Sequence, residues 1–329
     1  MERGIRAKAT SWWYIKEEMI LGKRMKYIIV LLFGCVACFQ AHSQSNIRIN
    51  QYWDNPFYIT PAAINNQYLA VFSMAARKQW LNFDGAPSTF FLTGSTYVDQ
   101  WRTQFGIKLY SDNIGYTSTT NISLTYGYAV MLNEDWRLNL GLAGDFTNMD
   151  YDYSKAVLAE QNDPDVLLQL VRKSGFNTDF GFEFASKGIQ IGAASQNFFT
   201  MMQSSKQQLQ PNTNFLYGSY RQYTEGMFDY RVGACSIQYG NMYQCELFAN
   251  TYYKNFTESN SEDDILQAGV MFRYPSELGI VVGVNLTPNW TVSYSYDYNT
   301  SSISRYAIGT HEITITYRID KKPGCYSCF

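Results

Sequence analysis

A period-two alternation of apolar and polar residues recurs along most of this chain, and it constrains the fold more than any other feature. In "HEITITYRID" (residues 311–320) every second residue from Ile313 is Ile or Tyr, and in "TVSYSYDYN" (residues 291–299) every second residue is Val or Tyr. Successive side chains of a β-strand point to opposite faces, so each run predicts a strand with one apolar and one polar face.

Fourteen such runs, each of about 8 to 13 residues, are present. Aromatic residues make up 17% of the chain and crowd the strand ends, whereas two soluble sandwiches would bury a dense Val, Leu and Ile face. Apolar-out, polar-in strands with aromatic ends are typical of outer-membrane barrels. The sequence therefore predicts an all-β fold, a transmembrane antiparallel β-barrel of about 14 strands. The predicted strands begin near Tyr68, Ser88, Arg102, Asn121, Trp136, Phe176, Gly188, Asn212, Met227, Met242, Asp264, Glu277, Trp290 and Gly309.

The links between the predicted strands alternate in length. Those after strands 2, 4, 6 and 12 are short ("DQWR", "LNED", "SKG" and "TPN"), and those after strands 1, 3, 5, 7 and 13 are mostly longer. A barrel with both chain ends in the periplasm has short periplasmic turns and long extracellular loops. Three links depart from this pattern, namely the tight "YGN" and "YPSE" after strands 9 and 11 and the acidic "KNFTESNSEDD" after strand 10.

The longest interruption runs from about residue 148 to residue 175. Within it, "DPDVLLQLVRKS" has apolar residues at helical spacing, with Asp163 and Asp165 at its start and Arg172 and Lys173 at its end. Charges in this order interact favourably with a helix dipole. We therefore expect a short helix in one long extracellular loop, either capping the mouth or folded inward as a plug.

The first 44 residues have the pattern of an export signal. From Met25, "MKYIIVLLFGCVACFQAHSQ" has a basic residue, a short apolar run and a small-residue exit, which predicts a secretory signal peptide over residues 25–44. Residues 1–24 have no role in that scheme, and we interpret them as a start codon assigned too early. A lipoprotein at Cys35 is an alternative.

The remaining chain divides into three predicted parts. Residues 45–67 are expected to form a periplasmic N-terminal segment, residues 68–320 the barrel, and residues 321–329 a periplasmic C-terminal tail. Without the first 44 residues the chain keeps 19 of its 26 basic and 25 of its 28 acidic residues, a net charge of −6. This charge does not favour nucleic acid as a partner.

Few residues suit catalysis or metal binding. His311 is the only histidine after residue 44, so no His-based triad or multi-histidine metal site is expected. His311 and Glu312 open the last strand, where closing the barrel is a better role for them than acid–base chemistry. Two Asp-x-Asp pairs, at residues 150–152 and 163–165, supply fewer oxygens than calcium needs. We expect neither enzyme activity nor a cofactor.

Four cysteines follow the predicted signal peptide in a protein exported to a compartment where disulfides form. Strands 9 and 10 turn around Gly240, which brings Cys235 and Cys245 nearly opposite each other and makes them a candidate disulfide. Cys325 and Cys328 form a CxxC in the tail without a thioredoxin-like context, so a local disulfide or an anchoring contact is expected there.

Charged residues also fall on the polar faces of the predicted strands. Lys108, Arg273 and Arg318 are examples. Such residues either line an open pore or seal it by pairing with acids, and the sequence leaves both alternatives open.

Several landmarks, read in order, resemble one known family. They are "NQYWDNPFYITPAAIN", "RKQWLNFDGAPSTFFL", "GIKLYSDNIGYTSTTNISLTYGYAV" and finally "SYDYN" with "GTHEITITYR". Together they are similar to the PorP/SprF family of type IX secretion and gliding-motility outer-membrane proteins of Bacteroidetes. The family's Asn-Pro-Ala is Thr60-Pro61-Ala62 here, a departure that removes one Asn side chain from the turn. The motif residues on which the resemblance rests are Pro61, Ala62, Arg77, Gln79, Trp80, Gly85, Ala86, Pro87, His311 and Glu312.

The resemblance implies that residues 77–92 form the loop and return strand of the first hairpin. In that position Gly85 allows the turn and Pro87 pre-sets the chain before the strand. Trp80 would lie at the membrane interface or pack into the barrel. The segment would then be architecture and a docking surface, with no role in catalysis.

For function, the resemblance implies a non-enzymatic barrel in the outer membrane. Its expected partners are lipid, the periplasmic ring and lipoprotein components of type IX secretion, and a large surface adhesin or its C-terminal domain. A porin or small-molecule channel is the main alternative, because polar inward faces suit it equally. A soluble secreted β-protein, such as a lectin-like sandwich, is the third.

Overall fold

The computed structural model of the protein is a closed antiparallel barrel of fourteen strands. The structure describes residues 49–152, 172–202, 209–256, 262–305 and 307–321. Each strand pairs with its neighbours in sequence, and the first pairs with the last. Within these ranges no helix is long and apolar enough to cross a membrane. The predicted fold class and the predicted number of strands are confirmed.

Every strand begins within four residues of its predicted start. The strands are β1 (Tyr68–Lys78), β2 (Ser88–Val98), β3 (Thr103–Ile114), β4 (Thr117–Met131), β5 (Arg137–Tyr151), β6 (Lys173–Ser186), β7 (Ile189–Gln196), β8 (Thr213–Gln222), β9 (Phe228–Tyr239), β10 (Met242–Phe256), β11 (Glu262–Tyr274), β12 (Glu277–Asn285), β13 (Trp290–Asn299) and β14 (Thr310–Asp320). Short 3₁₀ segments lie at Pro56–Tyr58, Asp99–Trp101, Phe198–Met202 and Ser302–Arg305.

The alternation seen in the sequence separates an outer apolar face from an inner polar one. On β14 the inward Glu312 is buried while the adjacent outward Ile313 is half exposed. Among the largest fully buried side chains are Arg273, Lys254 and Glu183. This arrangement is the inverse of a soluble core, and it fits a barrel whose outside is covered by lipid.

The two rims of the barrel differ as expected. We call the rim where β1 begins and β14 ends the termini rim, and the opposite one the loop rim. The termini rim carries short links such as residues 187–188 and 286–289, and the loop rim carries the longer links 79–87, 197–212 and 300–309. The tight turns after β9 and β11 lie on the loop rim, as predicted.

The acidic stretch after strand 10 is mostly strand, which corrects its interpretation as a long link. β10 continues to Phe256 and β11 begins at Glu262. Near the end of β10 the side chain of Lys254 points into the lumen, where its Nζ lies 3.0 Å from Asp229 Oδ1 in a buried ion pair. β10 also stays paired with β11 as far as Phe256 opposite Glu262, so the link that remains between the two strands is residues 257–261.

Several predictions fall outside the described residues. These are the signal peptide, the C-terminal tail beyond Lys321, and most of the helix predicted in "DPDVLLQLVRKS". The end of that predicted helix is wrong, because Lys173 and Ser174 already belong to β6 and pair with Met149 and Asn148 of β5.

Candidate functional site: a luminal segment and its anchors

Residues 49–65, which we call the luminal segment, lie inside the barrel. The hydroxyl of Tyr58 is 2.8 Å from Ser73 Oγ on β1, and the next carbonyl, of Ile59, accepts a hydrogen bond of 3.0 Å from Gln196 on β7. β1 and β7 stand on opposite walls of the closed barrel. A chain that contacts both walls through inward side chains has to run through the lumen.

Residues 45–67 were predicted to be a periplasmic segment, and for residues 49–65 that prediction is wrong, because they form the luminal segment. From Ile49 to Ile64 most residues are buried, including Tyr52, Trp53 and Phe57. Aromatic side chains in this number are costly to leave in water, and the lumen offers them partners. The indole of Trp53, for example, stacks on Phe248 of β10 at 4.4 Å between ring centroids.

The segment is held near the loop rim through the side chain and backbone of Asn50. Its backbone N–H donates to both carboxylate oxygens of Glu312, at 3.0 and 2.9 Å. Its side-chain amide donates to both oxygens of Asp297, at 2.7 and 2.9 Å. Its side-chain carbonyl accepts from Arg77 at 2.6 Å and from Arg273 at 2.9 Å. Both groups of the carboxamide are therefore satisfied by buried charges.

The charges around Asn50 form a network, the charge cluster, that joins six consecutive strands of the barrel wall, from β10 through β14 to β1. Arg77 contacts Asp297 at 2.9 Å and Glu312 at 3.1 Å. Arg273 contacts Glu246 at 2.5 Å, Asp297 at 3.6 Å and also Glu277. All but the partly exposed Glu277 are almost fully buried, where removing one partner leaves the others with uncompensated charge.

Two motif residues far apart in sequence meet in this cluster. Arg77 of the Arg-x-Gln-Trp block and Glu312 of the last strand are register partners between β1 and β14. His311, the neighbour of Glu312, points to the outer face, where its Nδ1 lies 2.6 Å from the hydroxyl of Tyr294. His311 and Glu312 therefore lie on opposite faces of the barrel wall and do not form a joint site.

A row of glycines receives the middle of the luminal segment. Gly127, Gly141 and Gly181 are register partners across β4, β5 and β6, and we call this row the glycine shelf. A Cβ on Gly141 would lie 2.3 Å from the backbone nitrogen of Ala62, and one on Gly181 would lie 2.2 Å from Thr60 Oγ1. The shelf thus lets a second backbone approach the sheet closely.

Thr60-Pro61-Ala62 sits on this shelf and forms its turn without the asparagine of the family pattern. Thr60 Oγ1 accepts a hydrogen bond of 3.2 Å from the backbone N–H of Ala62. A threonine hydroxyl makes such a local bond as asparagine does, though more weakly. The departure therefore leaves the turn intact.

The remaining motif residues shape the first loop. Gly85 has φ +73° and Trp80 has φ +44°. Glycine adopts this left-handed conformation easily, whereas in Trp80 it costs energy. Gln79 N–H donates to the carbonyl of Pro87 at 2.9 Å, and Ala86 N–H donates to Phe83 at 3.1 Å. Trp80 packs edge-on against Phe83 at 6.4 Å. These contacts confirm that residues 77–92 form the first hairpin's loop and return strand.

Of the three lumen-facing charges singled out in the sequence, two are paired with acids and one lines a cavity. Arg273 is sealed in the charge cluster, and Lys108 pairs with Asp179 at 3.2 Å. Arg318 instead lines a cavity of about 770 Å³ between the luminal segment and the termini rim, which we call the vestibule. In the vestibule Arg221 lies over the ring of Tyr252 at 4.2 Å.

The cysteines and the acidic pair that the structure describes do not assemble into a disulfide or a metal site, and the second acidic pair, Asp163 and Asp165, lies outside the described residues. Cys235 and Cys245 are not bonded to each other, because Cys235 faces Glu246 in the register and Cys245 faces Ser236, which places the two side chains on opposite faces. The predicted bridge between them is therefore wrong, and Cys325 and Cys328 lie outside the described residues. Asp150 pairs with Arg172 at 3.2 Å. The described ranges contain no group of three or more His, Cys, Asp or Glu placed to hold a metal ion.

Sequence reasoning missed Asn50 and the glycine shelf. A usable signal was present for the shelf, since glycine inside a strand pattern marks a close approach of another backbone. For Asn50 no local signal exists, because its partners come from β1, β11, β13 and β14.

Solved structures with a similar fold are outer-membrane barrels. The chain is similar to Omp33 of Acinetobacter baumannii, with 9% identity over 77% of this chain and 98% of that one and a TM-score of 0.43. It is also similar to the toluene transporter TbuX of Ralstonia pickettii (9% identity, 80% and 92% covered, TM-score 0.47) and to TodX of Pseudomonas putida (8%, 85% and 94%, 0.45). At these identities the likeness concerns the fold alone. A comparison with curated proteins found no match.

A family model agrees with the landmarks in the sequence. The model described as type IX secretion system membrane protein PorP/SprF matches residues 41–317. The match includes the luminal segment, the glycine shelf and both Arg77 and Glu312, and it supports a location in the outer membrane. The chain therefore belongs to the PorP/SprF family of type IX secretion system membrane proteins.

Proposed function

We propose that this barrel is a non-enzymatic partner of the type IX secretion and gliding machinery that supports the export or surface attachment of a large adhesin. Membership of the PorP/SprF family supports a role in the secretion system. The adhesin, or its C-terminal domain, would engage the loop rim. The periplasmic ring and lipoprotein components would engage the termini rim, on the side of the barrel where the vestibule lies.

The observation that carries the proposal is the luminal segment. A porin needs a continuous water-filled path, whereas here Asn50 and the charge cluster occupy the lumen near the loop rim. Asn50 is hydrogen-bonded to four buried charged side chains and to the hydroxyl of Ser295, so thermal motion alone would rarely release the segment and open this path. A closed barrel of this kind is better suited to holding a protein partner than to passive diffusion.

A pull-down tests the proposal. Tagged barrel would be extracted from native outer membranes in mild detergent, and every retained protein would be identified by mass spectrometry. A large surface protein among them supports the adhesin role. Ring and lipoprotein components alone point to a place in the core machinery, and they count against a dedicated adhesin partner.

The same preparation tests the porin alternative in planar bilayers. The expected result for the wild-type barrel is little conductance. Recovery of the barrel alone, together with a large, stable open conductance, would overturn the proposal and leave a porin or small-molecule channel as the function.

A further inference from the structure

The barrel wall is uneven at the loop rim. β6 has 14 residues but its neighbour β7 has 8. Pairing between them runs from Ser186 opposite Ile189 to Phe180 opposite Ser195 and continues no further. On its other side β6 stays paired with β5 as far as Lys173 opposite Met149. At the loop rim, β6 therefore extends beyond the point where its pairing with β7 ends.

This extension, residues Lys173–Asp179, is an edge strand that we call the β6 edge. Of the strands that the structure describes, β5 alone pairs with it. An edge strand presents a row of backbone N–H and C=O groups to any extended chain that lies beside it. Such edges are the sites at which proteins recognise peptides by adding a strand.

A short cover lies against the β6 edge and is held there by side chains. The backbone N–H of Phe199 donates to Asn177 Oδ1 at 2.9 Å, and Asn177 Nδ2 donates to Thr200 Oγ1 at 2.8 Å. Phe198 packs edge-on against Phe180 at 5.1 Å. The cover, Phe198–Met202, is a single 3₁₀ segment, and the residue before it, Asn197, donates its backbone N–H to Asp179 Oδ1 at 3.0 Å. Asn177 Oδ1 also accepts the backbone N–H of Thr178 at 2.9 Å, so side chains of β6 stand in for part of a backbone ladder.

The β6 edge and its cover carry the two most exposed large apolar side chains among the described residues. Met202 at the end of the cover is 79% exposed and Phe176 on β6 is 78% exposed. In the same register row, Phe146 and Ile122 on β5 and β4 are far less exposed, at 38% and 44%. The difference arises because β5 and β4 have strands on both sides.

We propose that the β6 edge receives an extended β-strand of the exported partner protein, which pairs with the backbone of Lys173–Asp179. This inference rests on the proposed function and names the surface that it would use. The outward side chains of the added strand would be apolar, to cover Phe176 and Phe180. Its inward side chains would be polar, to match Asn177 and Asp179.

The geometry of the membrane excludes a second copy of this chain as the occupant. Two copies with the same orientation in a membrane are related by an axis along the membrane normal. Because strands of such barrels tilt by roughly 35–45°, the facing edges of two copies would cross at roughly 70–90° and could not form a ladder. A free strand of another protein can adopt the tilt of β6.

Site-specific photo-crosslinking in native outer membranes tests this inference. The crosslinker p-benzoylphenylalanine would be placed at Phe176, at Met202 and, as a matched control in the same register row, at Ile122. We expect Phe176 and Met202 to crosslink to the large protein that the pull-down retains, and Ile122 to give no such product.

The substitution Phe176→Lys should reduce recovery of that protein at least tenfold, whereas Ile122→Lys should leave it unchanged. Heat-modifiable mobility in gels checks that both variants are folded.

The contrary outcomes separate this inference from the proposed function. If the pull-down retains a large partner but Phe176 and Met202 give no crosslink to it, the β6 edge is not the binding surface and the proposed function stands. A product of twice the barrel's mass would show a second copy and overturn the inference. If the pull-down retains no partner, the proposed function itself fails and the inference fails with it.

Discussion

Arg77 and Glu312 are 235 positions apart in sequence, yet Arg77 Nη1 lies 3.1 Å from Glu312 Oε2. This pair spans the closure between β1 and β14. The same carboxylate also accepts the backbone N–H of Asn50. One ion pair therefore links the closing of the barrel to the placement of the luminal segment.

Replacing Arg77 by methionine should destabilise the barrel strongly. The change leaves Asp297 and Glu312 buried with less compensating charge, and we expect the free energy of unfolding to fall by about 3–5 kcal/mol. Urea titration in lipid vesicles, followed by gel mobility, measures it. Lys78→Met on the outer face of the same strand is the control, and an equal loss there would contradict a special role for Arg77.

Gly141→Ala should displace the luminal segment. The added Cβ would lie 2.3 Å from the backbone of Ala62, and overpacking of this kind costs about 1–3 kcal/mol. Gly144→Ala, three residues along β5, is the matched control, because a Cβ there meets nothing within 4 Å. Equal unfolding free energies for the two variants would mean that the glycine shelf is not a close contact.

Trp53→Ala should open a cavity inside the barrel. Trp53 is 2% exposed and stacks on Phe248, so we expect a loss of about 3–5 kcal/mol in unfolding free energy. Trp101→Ala removes a tryptophan that is 63% exposed and should be nearly neutral. Unfolding followed by tryptophan fluorescence gives the unfolding free energy of each variant for comparison. A neutral Trp53→Ala would argue against burial of the segment.

Asn50→Ala should loosen the segment at the loop rim. The change removes the carboxamide that contacts Arg77, Arg273 and Asp297, and leaving such buried groups unsatisfied costs about 1–3 kcal/mol. We expect planar bilayers to show more frequent open events than the wild type. Asn66→Ala, at an exposed position just after the luminal segment, should conduct like the wild type. Identical traces for all three proteins would show that Asn50 does not hold the lumen closed.

The regular part of the fold could be predicted from sequence because its signal is local. The alternation at Ile313, Ile315 and Tyr317 indicates which side of the strand faces lipid, and this holds whichever strands pair with it. Counting such runs was enough to predict fourteen strands. Arg77 and Glu312 were also identified as motif residues, although their pairing was not.

The predictions that failed depend on strand register or on long-range partners. Cys235 and Cys245 lie on adjacent strands, but an offset of one residue in pairing places them on opposite faces, and a one-residue offset cannot be read from the turn residues alone. The stretch after strand 10 was assigned to a link because it is acidic, whereas its first three residues continue β10 and its last three begin β11, where the two strands pair.

The sequence by itself determined the barrel, because strand alternation and turn residues are properties of short stretches. Only the tertiary structure decided where residues 49–65 lie. That segment has no repeating pattern of its own, and its hydrogen bonds are completed by side chains from strands on every side of the barrel. An irregular segment is ordered by the surface that surrounds it, and here that surface exists only once β1 has closed on β14.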